Sequence, residues 1–355
     1  MPDDVAVAGW DIGGVHIKGA RAVVSGGALR ERRITVRPFE VWRAPDDLPE
    51  MLRAVADQLG VSDGDPMAVT MTAELSDVFR TKRDGVTHVI ESVRRAFPRT
   101  GPQALSVRGE LVPVEEALER PLDFAATNWV AAALYAGRFV RDCLLVDVGS
   151  TTTDIIAVRD GRLACEGRTD TARLASGELV YTGVVRSNPN TLAEMVPLRG
   201  RWCRVAGEHF TVMADVYLAL ARLPESAYTC PTPDGRAKTR EAALERLARL
   251  VCADREQLDE EELLKIACFL AERQLRVVTD GLVQVLSRLE YGYGLPVVTA
   301  GAGAFLAATA AQRLRLTVID GRTLWGRAGV ALPAAAATEL IAARLTKGAT
   351  WSMPS

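Results

Sequence analysis

Apolar and polar positions alternate through the first part of the chain in a way that predicts strands. Val5 to Trp10 is apolar and runs into Asp11-Ile-Gly-Gly14, and a second apolar segment, Gly19 to Val24, ends at the turn signal Ser25-Gly26-Gly27. The two read as a hairpin whose connecting loop carries Asp11 and the glycines. Arg32 to Arg37 offers a third strand. Leu48 to Leu59 then changes to helical spacing, with Met51, Leu52, Val55 and Leu59 on one face. Met67 to Met71 reads as a short buried strand, and Thr81 to Phe97 as a helix capped by Thr81, with Val86, Val89, Ile90 and Val93 as its inner stripe. Trp129 to Val140 gives a further small, apolar helix.

The opening pattern then returns. Cys143 to Val146 is a strand, followed by Asp147-Val-Gly-Ser-Thr-Thr-Thr-Asp154, the apolar run from Ile155 and the turn Asp160-Gly161. Laid over the start, Asp147 falls on Asp11, Gly149 on Gly13, Ser150 on Gly14 and Asp154 on Lys18, 136 positions later. A strand–loop–strand unit that recurs predicts a duplicated domain. The expected division is 1–140 for the first domain and 141–355 for the second.

Beyond the repeat the pattern turns helical over 240–290. Arg240 to Val251 is amphipathic, and Glu260 to Leu289 predicts a long helix or a close pair. Asp259 is its N-cap, with Glu262 three residues on, and Glu272 is placed to pair with Arg276. Leu223 to Lys238, with three prolines, reads as a loop. Leu295 to Ala300 is a buried strand ending in Gly301-Ala302-Gly303 and a helix; Arg315 to Ile319 is another strand. Ala334 to Leu345 is a closing helix that would pack back on the first domain.

Composition narrows the function classes. A chain of 355 residues buries a sizeable core, and a net charge of −2 gives no basic field for a nucleic-acid or anionic-membrane partner. No apolar run approaches the ~18 residues that a membrane span needs, and Pro2, Asp3 and Asp4 lack the basic flank of a signal peptide. Six cysteines without a CxxC pair and three scattered histidines supply no zinc spacing, so reduced thiols in the cytoplasm are expected.

Two loops carry the candidate chemistry. Asp11-Ile-Gly-Gly14 with Lys18 places backbone N–H groups, unshielded by Cβ atoms at Gly13 and Gly14, where an anion can approach; a tight hairpin with a surface aspartate reads the same way. The run from Asp147 to Asp154 is more specific. Ser150, Thr151 and Thr152 give hydroxyl and amide donors between two carboxylates, suited to a metal–phosphate complex in which the acids hold magnesium. Together they describe facing phosphate clamps of a two-domain cleft. The Gly301–Gly303 turn is either a third place for a nucleotide or diphosphate to pass the backbone, or a close strand–helix packing turn. A polar set follows the predicted strands: Thr72, Glu74, Asp77, Lys82, Arg83 and Asn128, then Arg168, Asp170, Arg173, Ser176, Glu178, Tyr181 and Thr182. Arg199 and Arg201 beside Trp202 suit bidentate carboxylate recognition or an exposed turn.

Val7–Lys18, Met71–Val86, Leu144–Ile156, Gly167–Gly183 and Pro197–Trp202 together resemble the hydantoinase/oxoprolinase-related family linked to tetrahydromethanopterin-dependent one-carbon transfer. The resemblance covers nearly the whole chain. It implies the α/β duplicated fold of actin-like ATPases and sugar kinases (ribonuclease H-like), and an alkyl transfer in methanofuran or methylofuran biosynthesis. In that reaction an aminomethylfuran carrying a methyl diphosphate would lose pyrophosphate to the phenol of a glutamyl-tyramine or tyrosine-derived acceptor, forming an ether. The resemblance assigns Mg2+ to Asp11, Asp147 and Asp154, and diphosphate to Gly13, Gly14, Lys18, Ser150, Thr151 and Thr152, with Gly301 and Gly303 alongside. The phenol's base is one of Glu74, Asp77 and Asp170. Asp77, Lys82, Arg83, Asn128, Arg168, Arg173, Glu178 and Tyr181 are the candidate substrate contacts. The partners implied are small molecules, with no nucleic acid and no membrane, and a homodimer is left open. The rivals are an ATP-dependent kinase or ATPase of the same fold, for which ATP is the cofactor, a non-catalytic nucleotide sensor, and a hydantoin or oxoproline hydrolase.

Overall fold

The computed structural model of the protein describes residues 4–26, 28–290 and 292–346. Gly27 of the expected first turn, and Pro2 and Asp3 at the N-terminus, lie outside those residues. In chain order the first elements are β1 (Val5–Ile12), β2 (His16–Ser25), β3 (Ala28–Pro38), α1 (Leu48–Leu59), β4 (Met67–Met71) and α2 (Lys82–Ala96). Then come β5 (Gln103–Leu105), β6 (Leu111–Pro113), α3 (Val114–Glu119), α4 (Asn128–Phe139), β7 (Cys143–Val148), β8 (Thr153–Arg159) and β9 (Arg162–Leu163). The next are α5 (Asp170–Ser176), β10 (Leu179–Val180), β11 (Met195–Leu198), β12 (Arg201–Arg204), α6 (Met213–Ala219) and α7 (Arg240–Arg249). The last are α8 (Glu260–Ser287), β13 (Val297–Ala300), α9 (Ala304–Arg313), β14 (Val318–Asp320), α10 (Gly321–Trp325) and α11 (Leu332–Leu345).

The chain divides into two compact units, and the division is discontinuous. The first takes residues 1–143, 157–172 and 322–355; the second takes 144–156 and 173–321. A single cut near 140 therefore does not describe the molecule, because the last helix and the β8–β9 turn belong with the first unit.

The first unit is built on a six-stranded sheet in the order β3-β2-β1-β4-β5-β6. Alternation along β1 decides which face each side chain covers. Ala8, Trp10 and Ile12 join a core with Leu48, Leu52 and Val55 of α1 and Val86, Val89, Ile90 and Val93 of α2. Val7 joins Ala22, Ala68, Ala337 and Ile341 on the other face, which α11 covers. Helix and sheet approach closely there: a Cβ on Gly9 would lie 2.1 Å from the Ala334 carbonyl oxygen. Small residues make that contact possible, and they also explain an apparent anomaly. One helical stretch among the described residues, Gly321–Leu345, is long and apolar enough to cross a membrane, against the expectation that no apolar run approaches that length. Its alanines 334–337 are fully buried within the protein.

The second unit contains the sheet order β10-β8-β7-β13-β14, with β7 and β13 parallel. In each unit a central strand has a hairpin partner on one side and a parallel strand on the other: β2-β1-β4 in the first, β8-β7-β13 in the second. This is the duplication predicted from the two aspartate-led repeats. Its helices include α8, a single helix whose N-terminus carries the reciprocal Asp259–Glu262 capping box. The expected Glu272–Arg276 pair does not form; Glu272 meets Arg313 at 2.5 Å and Arg276 lies 3.5 Å from Asp280. Leu198 to Cys203 is a β-hairpin, with Arg199 and Gly200 at φ 52° and 74° in its two-residue turn. The carboxylate that Arg199 grips bidentately is Glu262 of the same chain, at 2.6 and 3.1 Å.

Candidate functional site

In the first unit, Asp11 lies inside β1 rather than in the loop, and its cross-strand partner in the register is Lys18. Nζ of Lys18 donates to Oδ2 at 2.9 Å. Asp11 is 3% exposed, and its Oδ1 has no hydrogen-bond partner among the described residues. A buried carboxylate oxygen left open is expensive unless a cation or donor meets it. The loop itself is only Gly13 to Val15. Gly13 N donates to His16 O, while the carbonyls of Gly14 and Val15 accept from Val41 and Phe39, each at 3.0 Å. Among the described residues, the amides of Gly14 and Val15 donate to no backbone carbonyl.

Beside Asp11 on the sheet is Thr70, whose hydroxyl lies 2.8 Å from that of Thr127. The chain leaves β4 into a single turn, Ala73–Leu75, that carries Glu74. Helix α2 presses on this turn so closely that a Cβ on Gly85 would lie 2.3 Å from the Glu74 carbonyl oxygen. Glu74 is 1% exposed, and neither of its carboxylate oxygens meets a partner in hydrogen-bond geometry among the described residues. Burial pushes its pKa up to about 7 from an ordinary 4.5. The Asp170 charge adds to that rise; the Lys82 charge and the nearby amides of Glu74 and Ala126 temper it. Those two amides are close enough to act electrostatically without being bonded. Ala126 is held at φ 50°, a conformation costly for a residue with a Cβ. Nζ of Lys82 donates to Oδ2 of Asp170 at 2.5 Å.

Of the three candidate bases, then, Asp170 is engaged by Lys82 and Asp77 is exposed. Glu74 alone combines burial, open oxygens and a pKa near neutrality. Arg168 donates to Val107 O at 2.9 Å, Arg83 is exposed, and Asn128 opens α4. Thr70, Thr127 and the strained Ala126 belong to no motif; two threonines on separate elements meet only in the fold.

In the second unit Asp147 and Val148 end β7, and Thr153 and Asp154 begin β8, leaving a four-residue loop. Its carbonyls are tied back. Gly149 O accepts from Val184 N at 3.1 Å, Ser150 O from Val185 N and Arg186 N at 3.1 and 2.8 Å, and Thr152 O from Gly149 N at 2.8 Å. The amides of Ser150, Thr151 and Thr152 donate to no backbone carbonyl among the described residues. A loop with its acceptors satisfied inward and its donors left over suits an anion. Gly183 fits against it; a Cβ there would sit 2.5 Å from Thr151 N.

Three groups of expected site residues have structural partners here. Asp154, expected to hold metal, is 7% exposed and accepts from the buried Arg173 guanidinium at 2.5 Å. Arg173 and Glu178, expected to touch substrate, are buried as well. Glu178 accepts from Ser176 at 2.9 Å and pairs with Arg288. Gly301, at φ 80°, and Gly303 both have packing reasons: a Cβ would lie 2.2 Å from Val148 O in the first and 2.4 Å from the Val148 side chain in the second. Tyr181 is 70% exposed.

Among the described residues no group of three or more Asp, Glu, His or Cys side chains gathers to hold a metal on protein ligands alone. Mg2+ commonly keeps waters and takes only one or two carboxylates plus substrate phosphates. The open Oδ1 of Asp11 fits that mode.

Comparison with known proteins adds identity to this geometry. A family model described as hydantoinase/oxoprolinase matches residues 65–341. The (4-{4-[2-(gamma-L-glutamylamino)ethyl]phenoxymethyl}furan-2-yl)methanamine synthase of Methanocaldococcus jannaschii is 33% identical over 345 residues, 97% of this chain and 99% of that one. An enzyme of the same name from Methanococcus vannielii is 32% identical over 164 residues, 46% of this chain and 72% of that one. Among solved structures, nucleotide-free acetone carboxylase superposes with a TM-score of 0.53 over 94% of this chain and 70% of its own, at 11% identity. The chain shares its fold with that acetone carboxylase structure.

Proposed function

The chain belongs to the hydantoinase/oxoprolinase family, and from that premise we propose that it is a biosynthetic transferase that makes a furfuryl aryl ether. The donor is an aminomethylfuran bearing a methyl diphosphate, and the acceptor is the phenol of a glutamyl-tyramine or tyrosine-derived compound. The bond from the furfuryl carbon to the diphosphate oxygen breaks with its electron pair leaving on diphosphate. The phenol oxygen forms the new bond to that carbon, and its proton passes to a base. The similarity over nearly the full length of a synthase whose name describes a phenoxymethylfuran supports the substrate class.

The observation that carries the chemistry is Glu74. A phenol has an ordinary pKa of ~10, and a base is most effective when its own pKa lies near the working pH. A carboxylate at about 7, buried and unbonded, answers that need better than an ordinary one. Within the first unit, Lys18 and the amides of Gly14 and Val15 are the groups proposed to bind diphosphate oxygens; within the second, Ser150, Thr151 and Thr152. Mg2+ bound at Asp11 or Asp147 would supply neutralisation of the charge that develops on the departing diphosphate.

The test is mass spectrometry of the products after the protein is mixed with the furan diphosphate, Mg2+ and either tyramine-type or tyrosine-type phenols. Ether with stoichiometric pyrophosphate is the expected result. No ether under any pairing, with steady ADP release from ATP instead, would assign the chain to the kinases and ATPases of this fold.

A further inference from the structure

Helix α8 buries an apolar stripe, Leu263, Ala267, Leu270 and Val278, with one polar side chain set into it at Gln274. Helical periodicity calls for a hydrophobic residue there, and the glutamine is 0% exposed. Its Nε2 donates to the Thr182 hydroxyl at 2.7 Å and to Gly183 O at 2.9 Å. Its Oε1 accepts from the hydroxyl of Tyr217, in α6, at 2.6 Å. A backbone carbonyl can only accept, so Gly183 O fixes which end of the amide faces it and leaves the oxygen for Tyr217. Tyr217 and Thr182 are buried as well.

Thr182 and Gly183 open the segment on which the Ser150–Thr152 loop is seated. The next three amides, of Val184, Val185 and Arg186, are the donors that hold the loop carbonyls Gly149 O and Ser150 O. At Gly183 the fit leaves no space, since a Cβ would lie 2.6 Å from Gly149 O as well as against Thr151 N. Other groups fix the same segment. The Thr153 hydroxyl donates to Thr182 O at 2.7 Å, and Gly183 N donates to the Ser187 hydroxyl at 2.7 Å. Met213 N donates to Ser187 O at 2.8 Å and Ala214 N to Val185 O at 3.1 Å, so the start of α6 holds 185–187. Arg273, beside Gln274 on α8, donates to Leu192 O at 3.1 Å, further along the chain.

Taking an amide and two hydroxyls out of water and returning their hydrogen bonds inside the protein adds little to stability. An apolar side chain at 274 would be buried without that desolvation. What a satisfied network supplies is a single geometry. We propose that Gln274 is a positioning residue for the loop: its hold on Thr182 and Gly183 sets the seat that keeps the amides of Ser150, Thr151 and Thr152 aligned for a diphosphate group. The proposal rests on the reading of that loop as a phosphate binder and adds the buried side chain on which its alignment depends. The diphosphate group belongs either to a small-molecule ester and its pyrophosphate product or to a nucleotide.

The experiment is calorimetric titration of the whole protein with inorganic pyrophosphate and Mg2+, and separately with ADP and Mg2+, well below each variant's melting temperature. Gln274→Leu should weaken pyrophosphate about tenfold and Thr182→Val about threefold, since misalignment of the loop costs up to one hydrogen bond's worth of binding. Gln284→Leu is the control. It removes a bond of the same kind from α8, to Ala175 O at 2.8 Å, and should leave the affinity unchanged even where it lowers the melting temperature. A further measurement needs no variant: pyrophosphate should slow amide exchange at Val184, Val185 and Arg186 in the wild type. The same order of losses with ADP, bound more tightly than pyrophosphate, supports the positioning role and assigns the occupant to a nucleotide. Gln274→Leu that melts lower yet binds as the wild type makes the glutamine a packing residue; the proposal is overturned and the loop reading stands. Equal weakening in Gln284→Leu overturns it too. If Gln274→Leu does not fold, Thr182→Val and the exchange measurement decide, and either one unchanged overturns the proposal. If the wild-type protein binds neither probe, the loop reading falls and the positioning role with it.

Discussion

Glu74 is the residue on which the chemistry turns, and its charge state is open to two independent measurements. Its carboxyl holds a proton in the folded protein up to about pH 7 but only to about 4.5 when unfolded. Across that window the folded state binds the extra proton, so stability falls as pH rises, by roughly 3 kcal/mol in all. Glu74→Gln removes the titration. Chemical unfolding at pH 5 and pH 8 should show the wild type losing stability that the variant keeps; parallel losses in both proteins would contradict the raised pKa. Activity moves the other way, because a base must be unprotonated. The rate should climb through pH 7, and Glu74→Gln should lower it about 10²-fold at pH 8. The neighbours set the sign of a finer test. Lys82→Met removes a charge that lowers the Glu74 pKa, so the rising limb should shift to higher pH. Asp170→Asn should shift it lower.

The strand–loop–strand repeat treats Asp147 and Asp154 as a matched pair of acids, and at the scale of that element they separate. Asp147 is half-buried at the end of β7, while Asp154 is buried at the start of β8 against Arg173. Asp154→Asn would leave a buried guanidinium short of its counter-charge, and breaking such a pair commonly costs about 3–5 kcal/mol. Asp147→Asn should leave the midpoint of urea unfolding within error while lowering turnover by at least ~10²-fold, the usual worth of one electrostatic group at a leaving-group oxygen. Equal loss of stability in both variants would refute the division. The sequence could not have made it. The strands, the helices over 48–59 and 82–96, and the Asp259 cap were all legible because each rests on spacing within one segment. Which carboxylate meets a cation depends on where Arg173 and Lys82 arrive from elsewhere in the chain. The same holds for Glu74: spacing does not separate it from Asp77 and Asp170, whereas burial under α2 does.

At the scale of the molecule, the repeat predicted two domains in succession, and the discontinuity of the units has a physical origin in α11. The first sheet has two apolar faces, and the first 143 residues supply α1 and α2 for only one of them. The other, with Val7, Ala22 and Ala68, is covered by Ala337, Ile341 and Ala342 at the far end of the chain. Contact there is close enough that Gly9 admits no side chain against Ala334. The first unit therefore cannot complete its core until the last helix is made, whereas everything assigned to the second unit has already been synthesised by residue 321. A chain ending at residue 321 should keep slow amide exchange in β7 and β13 and lose it in β1 and β4. A peptide spanning 322–355, added separately, should restore protection to β1, since burial of that face needs the helix and not its covalent attachment. Protection of β1 unchanged by the truncation would mean that the sheet closes its core without α11. Gly9→Ala in the full chain is the milder version of the same insult. An added methyl at a contact this tight forces helix and strand apart, at about 1–3 kcal/mol, and the loss should appear in the exchange of β1 before that of β7.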